Sequence, residues 1–155
     1  IRRVLASLVF DERTSLKFLD KAGQYGLAST KDRFTTKVGP DGSTWERTVR
    51  EKIGAVGRGT LDYTGKLKNS FTYGLVGTSA VEWGTNDWHA IPLHEGATIS
   101  AVYADFLRFS IPGVAGSFKK KTVVLPARPI LGVNEQDSDA LLTILESVMI
   151  EGVQQ

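Results

Sequence analysis

Between Val4 and Gln24, apolar residues recur at Leu5, Leu8, Val9, Leu16 and Leu19, with Asp11, Glu12, Arg13, Lys17 and Asp20 between them. That spacing predicts an amphipathic helix, or two short ones, fading at Gly23 and Gly26. Residues 27–44 are polar and carry the turn chemistry of Gly39-Pro40-Asp41-Gly42, so they are expected to form a surface loop. Ser43 or Thr44 then caps a short helix over 45–53. Gly54, Gly57, Gly59 and Gly65 break all periodicity, and 54–65 is expected to be mobile unless a partner pins it.

Beyond Lys66 the period changes to two. Phe71, Tyr73 and Leu75 alternate with Thr72, Gly74 and Val76, and Val81-Glu82-Trp83 resumes the alternation after Gly77-Thr78-Ser79-Ala80. Residues 68–85 therefore read as a β-hairpin. A second hairpin pairs 106–111 with 122–125 across a long tip, giving a projecting arm over about 106–125. Asn134, with Asp137 three residues on, caps a closing helix whose apolar stripe is Leu141, Leu142, Leu145, Val148 and Met149. The order predicts an α+β fold, an antiparallel sheet of hairpins with the N- and C-terminal helices packed on one face. A length of 155 residues favours a single domain.

Composition narrows the chemistry. There are no cysteines, which removes disulfides, thiolate metal sites and a Cys nucleophile. A net charge of +2 falls short of the basic excess of a dedicated nucleic-acid binder. No window approaches the ~18 apolar residues of a membrane span, and Ile1-Arg2-Arg3-Val4-Leu5 lacks the features of a secretory signal, so cytoplasmic synthesis is expected.

The two histidines, His89 and His94, lie five apart with Glu95 adjacent. A zincin pair needs one helical turn between its imidazoles, and Pro92 opposes a helix interior. Structural roles are expected for both rings. A hydrolase using metal held by His89, His94 and Glu95, with Glu82 or Asp87 as a further ligand, is the alternative. No Gly-x-Ser-x-Gly elbow or phosphate-binding loop occurs, and no cofactor or catalytic residue is expected. Lys119, Lys120 and Lys121 could track phosphates, with Phe106, Phe109 and Phe118 as stacking surfaces, or form a solvated strand edge. Trp83, on the alternating face, is placed in the core, with Trp45 either there or at an interface; Trp88, in a loop, is an interface candidate.

Four blocks appear in one order: Gly39-Pro40-Asp41-Gly42-Ser43-Thr44-Trp45; Leu61-Asp62-Tyr63-Thr64-Gly65-Lys66-Leu67-Lys68-Asn69-Ser70; Val81-Glu82-Trp83-Gly84-Thr85 followed by Ala90 and His94-Glu95-Gly96; and Leu125-Pro126-Ala127-Arg128-Pro129-Ile130-Leu131-Gly132-Val133. Together they resemble the virion morphogenesis (tail completion) proteins of Mu-like tailed bacteriophages, over about 39–145. The chain departs from that pattern at His89, where a Tyr is usual, and at Ile130, where an aromatic often stands.

The resemblance implies a non-enzymatic virion protein of the head–tail junction, assembled in the host cytoplasm as a sixfold ring of its own copies. Its partners would be other neck proteins, the connector or adaptor, and the tail terminator or tube; from the residues themselves, Lys119, Lys120 and Lys121 are the candidate contact to packaged DNA or a partner, and no membrane contact is expected. The alternative post is the tail terminator itself. The candidate structural or interface residues are Trp45, Gly65, Leu67, His94, Glu95, Pro126, Arg128 and Pro129 from these blocks, together with Trp88 from its loop position. Of these, Pro126-Ala127-Arg128-Pro129 is expected to form a rigid corner, clamped internally by Arg128.

Overall fold

The computed structural model describes residues 11–54, 59–111 and 113–153. Leu5, Leu8 and Val9 of the expected first helix, Gly57 of the glycine-rich stretch and Pro112 of the second hairpin tip lie outside the described residues. Elements follow in the order α1 (Glu12–Thr36), α2 (Val49–Lys52), α3 (Lys66–Ser70), β1 (Thr72–Val76), β2 (Ala80–Gly84), α4 (Ala90–His94), β3 (Ala97–Ser100), β4 (Leu107–Phe109), β5 (Phe118–Lys120), β6 (Thr122–Leu125) and α5 (Glu135–Val153). This is an α+β protein. Its strands are spread over three two-stranded antiparallel ladders, β1–β2, β3–β6 and β4–β5, where the sequence suggested one sheet.

The chain gathers into two compact units. The first takes the described residues up to Ser29, Thr72–Gly84 and the described residues from Val133 onward. Its entry is capped by Asp11, whose carboxylate accepts from the Thr14 amide at 2.6 Å. α1 then runs straight through Gly23 and Gly26, so the expected fading there is corrected. Both glycines are notches for the hairpin: a Cβ on Gly23 would overlap the Tyr73 ring, and one on Gly26 would lie 2.6 Å from the Trp83 ring. Tyr73 and Trp83 are directly opposed in the β1–β2 register, and the Tyr73 hydroxyl donates to Asp20 at 2.8 Å. Packing of two aromatic rings outweighs the roughly 1 kcal/mol that each helical glycine costs.

α5 starts with reciprocal bonds: the Asp137 amide donates to Asn134 Oδ1 at 2.7 Å, and the Asn134 amide to Asp137 Oδ2 at 3.1 Å. Asp137 also accepts from the Ser29 and Tyr25 hydroxyls at 2.7 and 3.1 Å. Near the other end of α5, Glu151 pairs with Lys17 and, at 3.2 Å, with Lys21. Contacts at both ends align α1 and α5 antiparallel, with Val148 fully buried.

The second unit comprises Thr30–Phe71 and Thr85–Gly132. Here α1 continues to Thr36 and stops at Lys37, which adopts φ 60° and places its ammonium 3.1 Å from Glu51. The surface loop expected from residue 27 therefore begins only after the helix. Its turn is as predicted: the Gly42 amide donates to Gly39 O at 3.0 Å, and Asp41 accepts from the Ser43 amide and hydroxyl. The short helix expected over 45–53 shrinks to α2, because Trp45 stays extended, its amide bonded to Lys37 O at 2.7 Å. Thr48 is the cap, in a reciprocal box with Glu51.

A core of Phe34, Trp45, Phe71 and Ile130 sits at the centre of this unit, each 3% exposed or less. Phe34 meets Trp45 edge-on at 5.5 Å and Phe71 at 5.9 Å. The second hairpin is re-paired relative to expectation. β4 takes β5, with Phe109 stacked on Phe118 at 5.7 Å, whereas β6 takes β3 in the register Ala97↔Leu125 to Ser100↔Thr122. Lys121 marks the switch, its carbonyl accepting from the Ala101 amide at 3.0 Å.

Candidate functional site

Leaving β6, the chain reaches Pro126-Ala127-Arg128-Pro129-Ile130-Leu131-Gly132. Two prolines without amide hydrogens unfit this stretch for a strand ladder. Its polar backbone is bonded by side chains instead, as burial demands. Trp45 Nε1 donates to Pro129 O at 3.1 Å. Arg33, buried, donates through its two terminal nitrogens to Ile130 O at 2.8 Å and Gly132 O at 2.9 Å. His94 Nδ1 accepts from the amides of Ile130 at 2.9 Å and Leu131 at 3.3 Å. The ring is thus assigned the tautomer protonated on Nε2. The Arg128 amide donates to Leu93 O at 2.9 Å.

The Arg128 side chain, 4% exposed, donates to Glu46 O at 2.9 Å and more weakly to Pro126 O at 3.4 Å. Burial pushes its pKa down, while Glu46 and Glu51 oppose that shift. Gly96, at φ 80°, is required where the chain crosses the corner: a Cβ there would stand 2.9 Å from the Ala127 nitrogen. Residues drawn from positions 33 to 132 thereby lock one bend.

Of the residues singled out from sequence, Trp45, His94, Pro126, Arg128 and Pro129 converge on this corner. The bonds of Arg128 there run to backbone carbonyls of its own chain. Gly65, at φ 76°, precedes α3, and Leu67 is the buried residue of that helix; Ser70 bonds back to Leu67 O at 2.7 Å and meets Thr85 Oγ1 at 2.6 Å. Glu95 lies exposed at the end of α4, outside the corner. Trp88 is 71% exposed and stacks on His89, ring centroids 3.7 Å apart. Trp83, expected in the core, is only partly buried, against α1. Lys119, Lys120 and Lys121 are exposed on and just after β5.

Within this stretch Ala90–His94 form the short helix α4, which tolerates Pro92 because it falls within the first turn, where no amide is needed. His89 Nδ1 lies 2.6 Å from Asp87, whose carboxyl is held below its ordinary range by that bond. His94 already spends Nδ1 on backbone amides. Among the described residues no group of three or more His, Asp or Glu converges as metal ligands would.

Beside the corner lies an open-sided groove of about 720 Å³. Apolar side chains including Leu93, Phe109 and Val124 line it, with Arg47, Arg50, Lys52 and Lys66 also contributing. Arg50 is buried, stacks over Tyr63 at 4.1 Å and donates to Gly59 O at 3.3 Å. Neither its Nε nor Asp62 Oδ1 has a hydrogen-bond partner among the described residues. Next to it, burial opposes ionisation of Glu51, yet bonds from the Thr60 hydroxyl, the Thr48 amide and hydroxyl, and Lys37 hold its pKa at about 2. Sequence reasoning missed Arg33, Arg50 and Glu51. The sequence signal for Glu51 is Thr48-x-x-Glu51, a capping box three residues beyond the expected helix start at Trp45.

At the corner, the side chains of Arg33, Trp45, His94 and Arg128 all bond backbone groups of the chain itself. The chain belongs to the phage virion morphogenesis family, whose model matches residues 1–149. No curated protein and no solved structure matches it. No helix among the described residues is long and apolar enough to cross a membrane.

Proposed function

We propose that this protein is a structural subunit of the bacteriophage head–tail junction, acting in neck assembly or tail completion without making or breaking a covalent bond. Copies assemble in the host cytoplasm into a ring, sixfold to match the tail, that joins the capsid connector to the tail. The observation that carries this reading is the family match along nearly the whole chain. The corner supports it: Trp45, His94, Arg33 and Arg128 all engage backbone groups of the chain itself, the requirement of a subunit that must keep one shape while docking.

Quantitative mass spectrometry of purified virions, with antibody-gold labelling in the electron microscope, tests the proposal. Stoichiometric presence and label between head and tail are expected, and deletion of the gene should leave full heads beside complete, unattached tails. Absence from virions ends the proposal; overlong tails on deletion would reassign the protein to the tail terminator.

A further inference from the structure

We propose that the groove of one copy receives the exposed acidic face of α5 from a second copy. α5 carries five acids and no Lys or Arg. Asp137 and Glu151 are engaged within their own unit. The remaining three, Glu135, Asp139 and Glu146, fall with Leu142 and Ile150 at helical offsets of four, three, four and four residues. They form one stripe about 22 Å long at 1.5 Å per residue. All five residues are exposed, Leu142 at 57% and Ile150 at 60%.

The groove is the complement of that stripe. Five cationic side chains line it against two acids, Glu46 and Asp87. Arg47 and Lys66 are exposed and have no ion-pair partner among the described residues. Val49 and Val124, 56% and 69% exposed, offer apolar surface for Leu142 and Ile150. Opposite charge surrounding matched apolar residues selects a register between two surfaces. Groove and stripe are different patches of one chain, so the contact is heterologous, the kind that rotation closes into a ring. This inference rests on the ring reading above and names its interface.

The test places a photo-reactive phenylalanine analogue at position 142 and mixes ¹⁵N-labelled with unlabelled protein, so that cross-links between copies are recognised by mass. Cross-links from position 142 to the 47–52 or 63–67 peptides of another copy are expected. Links between copies that run elsewhere, for instance to the exposed loop carrying Tyr103, overturn this interface and leave the ring standing. A chain that remains monomeric, with no link between copies, overturns both.

Charge exchange supplies the second arm. Arg47→Glu with Lys66→Glu, and separately Asp139→Lys with Glu146→Lys, should each weaken self-association about tenfold or more while leaving the circular dichroism unchanged. Mixing the two variants should restore assembly, because each reversed patch then meets its reversed complement. Failure of the mixture to assemble, with both variants folded, overturns the pairing.

Discussion

His94 and Ile130, thirty-six positions apart in sequence, are joined by a 2.9 Å bond in which an imidazole nitrogen accepts from a backbone amide. The ring does for the corner what a neighbouring strand would do for a ladder. Replacing it with an isosteric apolar ring strands a buried amide. His94→Phe is expected to cost about 1–3 kcal/mol, read as a lower urea midpoint at unchanged slope. Nitrogen-15 chemical shifts of the His94 ring should also report the tautomer protonated on Nε2.

Arg33 holds the same corner by two parallel donations, to Ile130 O and Gly132 O. A lysine keeps the charge and loses the fork. Arg33→Lys should therefore destabilise by about 1.5–3 kcal/mol, whereas Lys119→Ala, on the exposed face of β5, should stay within about 0.5 kcal/mol. Equal effects of the two substitutions in chemical denaturation would contradict the corner's role.

Gly26 faces the Trp83 ring with no room for a methyl group. In a solvent-exposed helix Gly26→Ala would stabilise by about 1 kcal/mol; here overpacking should reverse the sign and destabilise by about 1–3 kcal/mol. Trimming the ring in Gly26→Ala/Trp83→Leu should recover part of that loss. A double-mutant cycle by thermal unfolding measures the coupling.

Glu51 links pH to stability. Its folded pKa of about 2 lies below the ordinary 4.5. Its contribution is therefore fully present above about pH 4.5 and is lost as pH falls toward 2. A shift of this size corresponds to on the order of 3 kcal/mol. Glu51→Gln should lower stability at pH 7 and flatten the acid limb of the stability–pH curve between pH 5 and 2. A curve parallel to that of the parent protein would remove Glu51 as the source of that slope.

Features set by neighbours in sequence were legible before any coordinates. The Gly39–Gly42 turn, the β1–β2 hairpin and the Asn134–Asp137 cap each depend on residues within a few positions of one another. Gly23 and Gly26 misled because helix propensity is local, whereas the rings filling their notches come from Tyr73 and Trp83. Strand partners beyond the first hairpin were misassigned for the same reason: β6 meets β3, more than twenty positions earlier, and nothing in 97–100 announces it. At the corner, Trp45, His94 and Arg128 stood out by residue type and by family resemblance. Arg33 did not, since it sat in a polar stretch whose helical continuation depends on packing of Phe34.

The first unit is assembled from three separated pieces of chain, the last of them beginning at Val133. A ribosome therefore delivers every residue of the second unit before it delivers the helix that closes the first. Until translation has passed the corner, the β1–β2 hairpin and the part of α1 up to Ser29 have no α5 to pack with. If α5 also carries the docking stripe, a subunit gains the means to join its neighbours only at the moment its own folding is completed, which keeps half-made copies out of the growing particle.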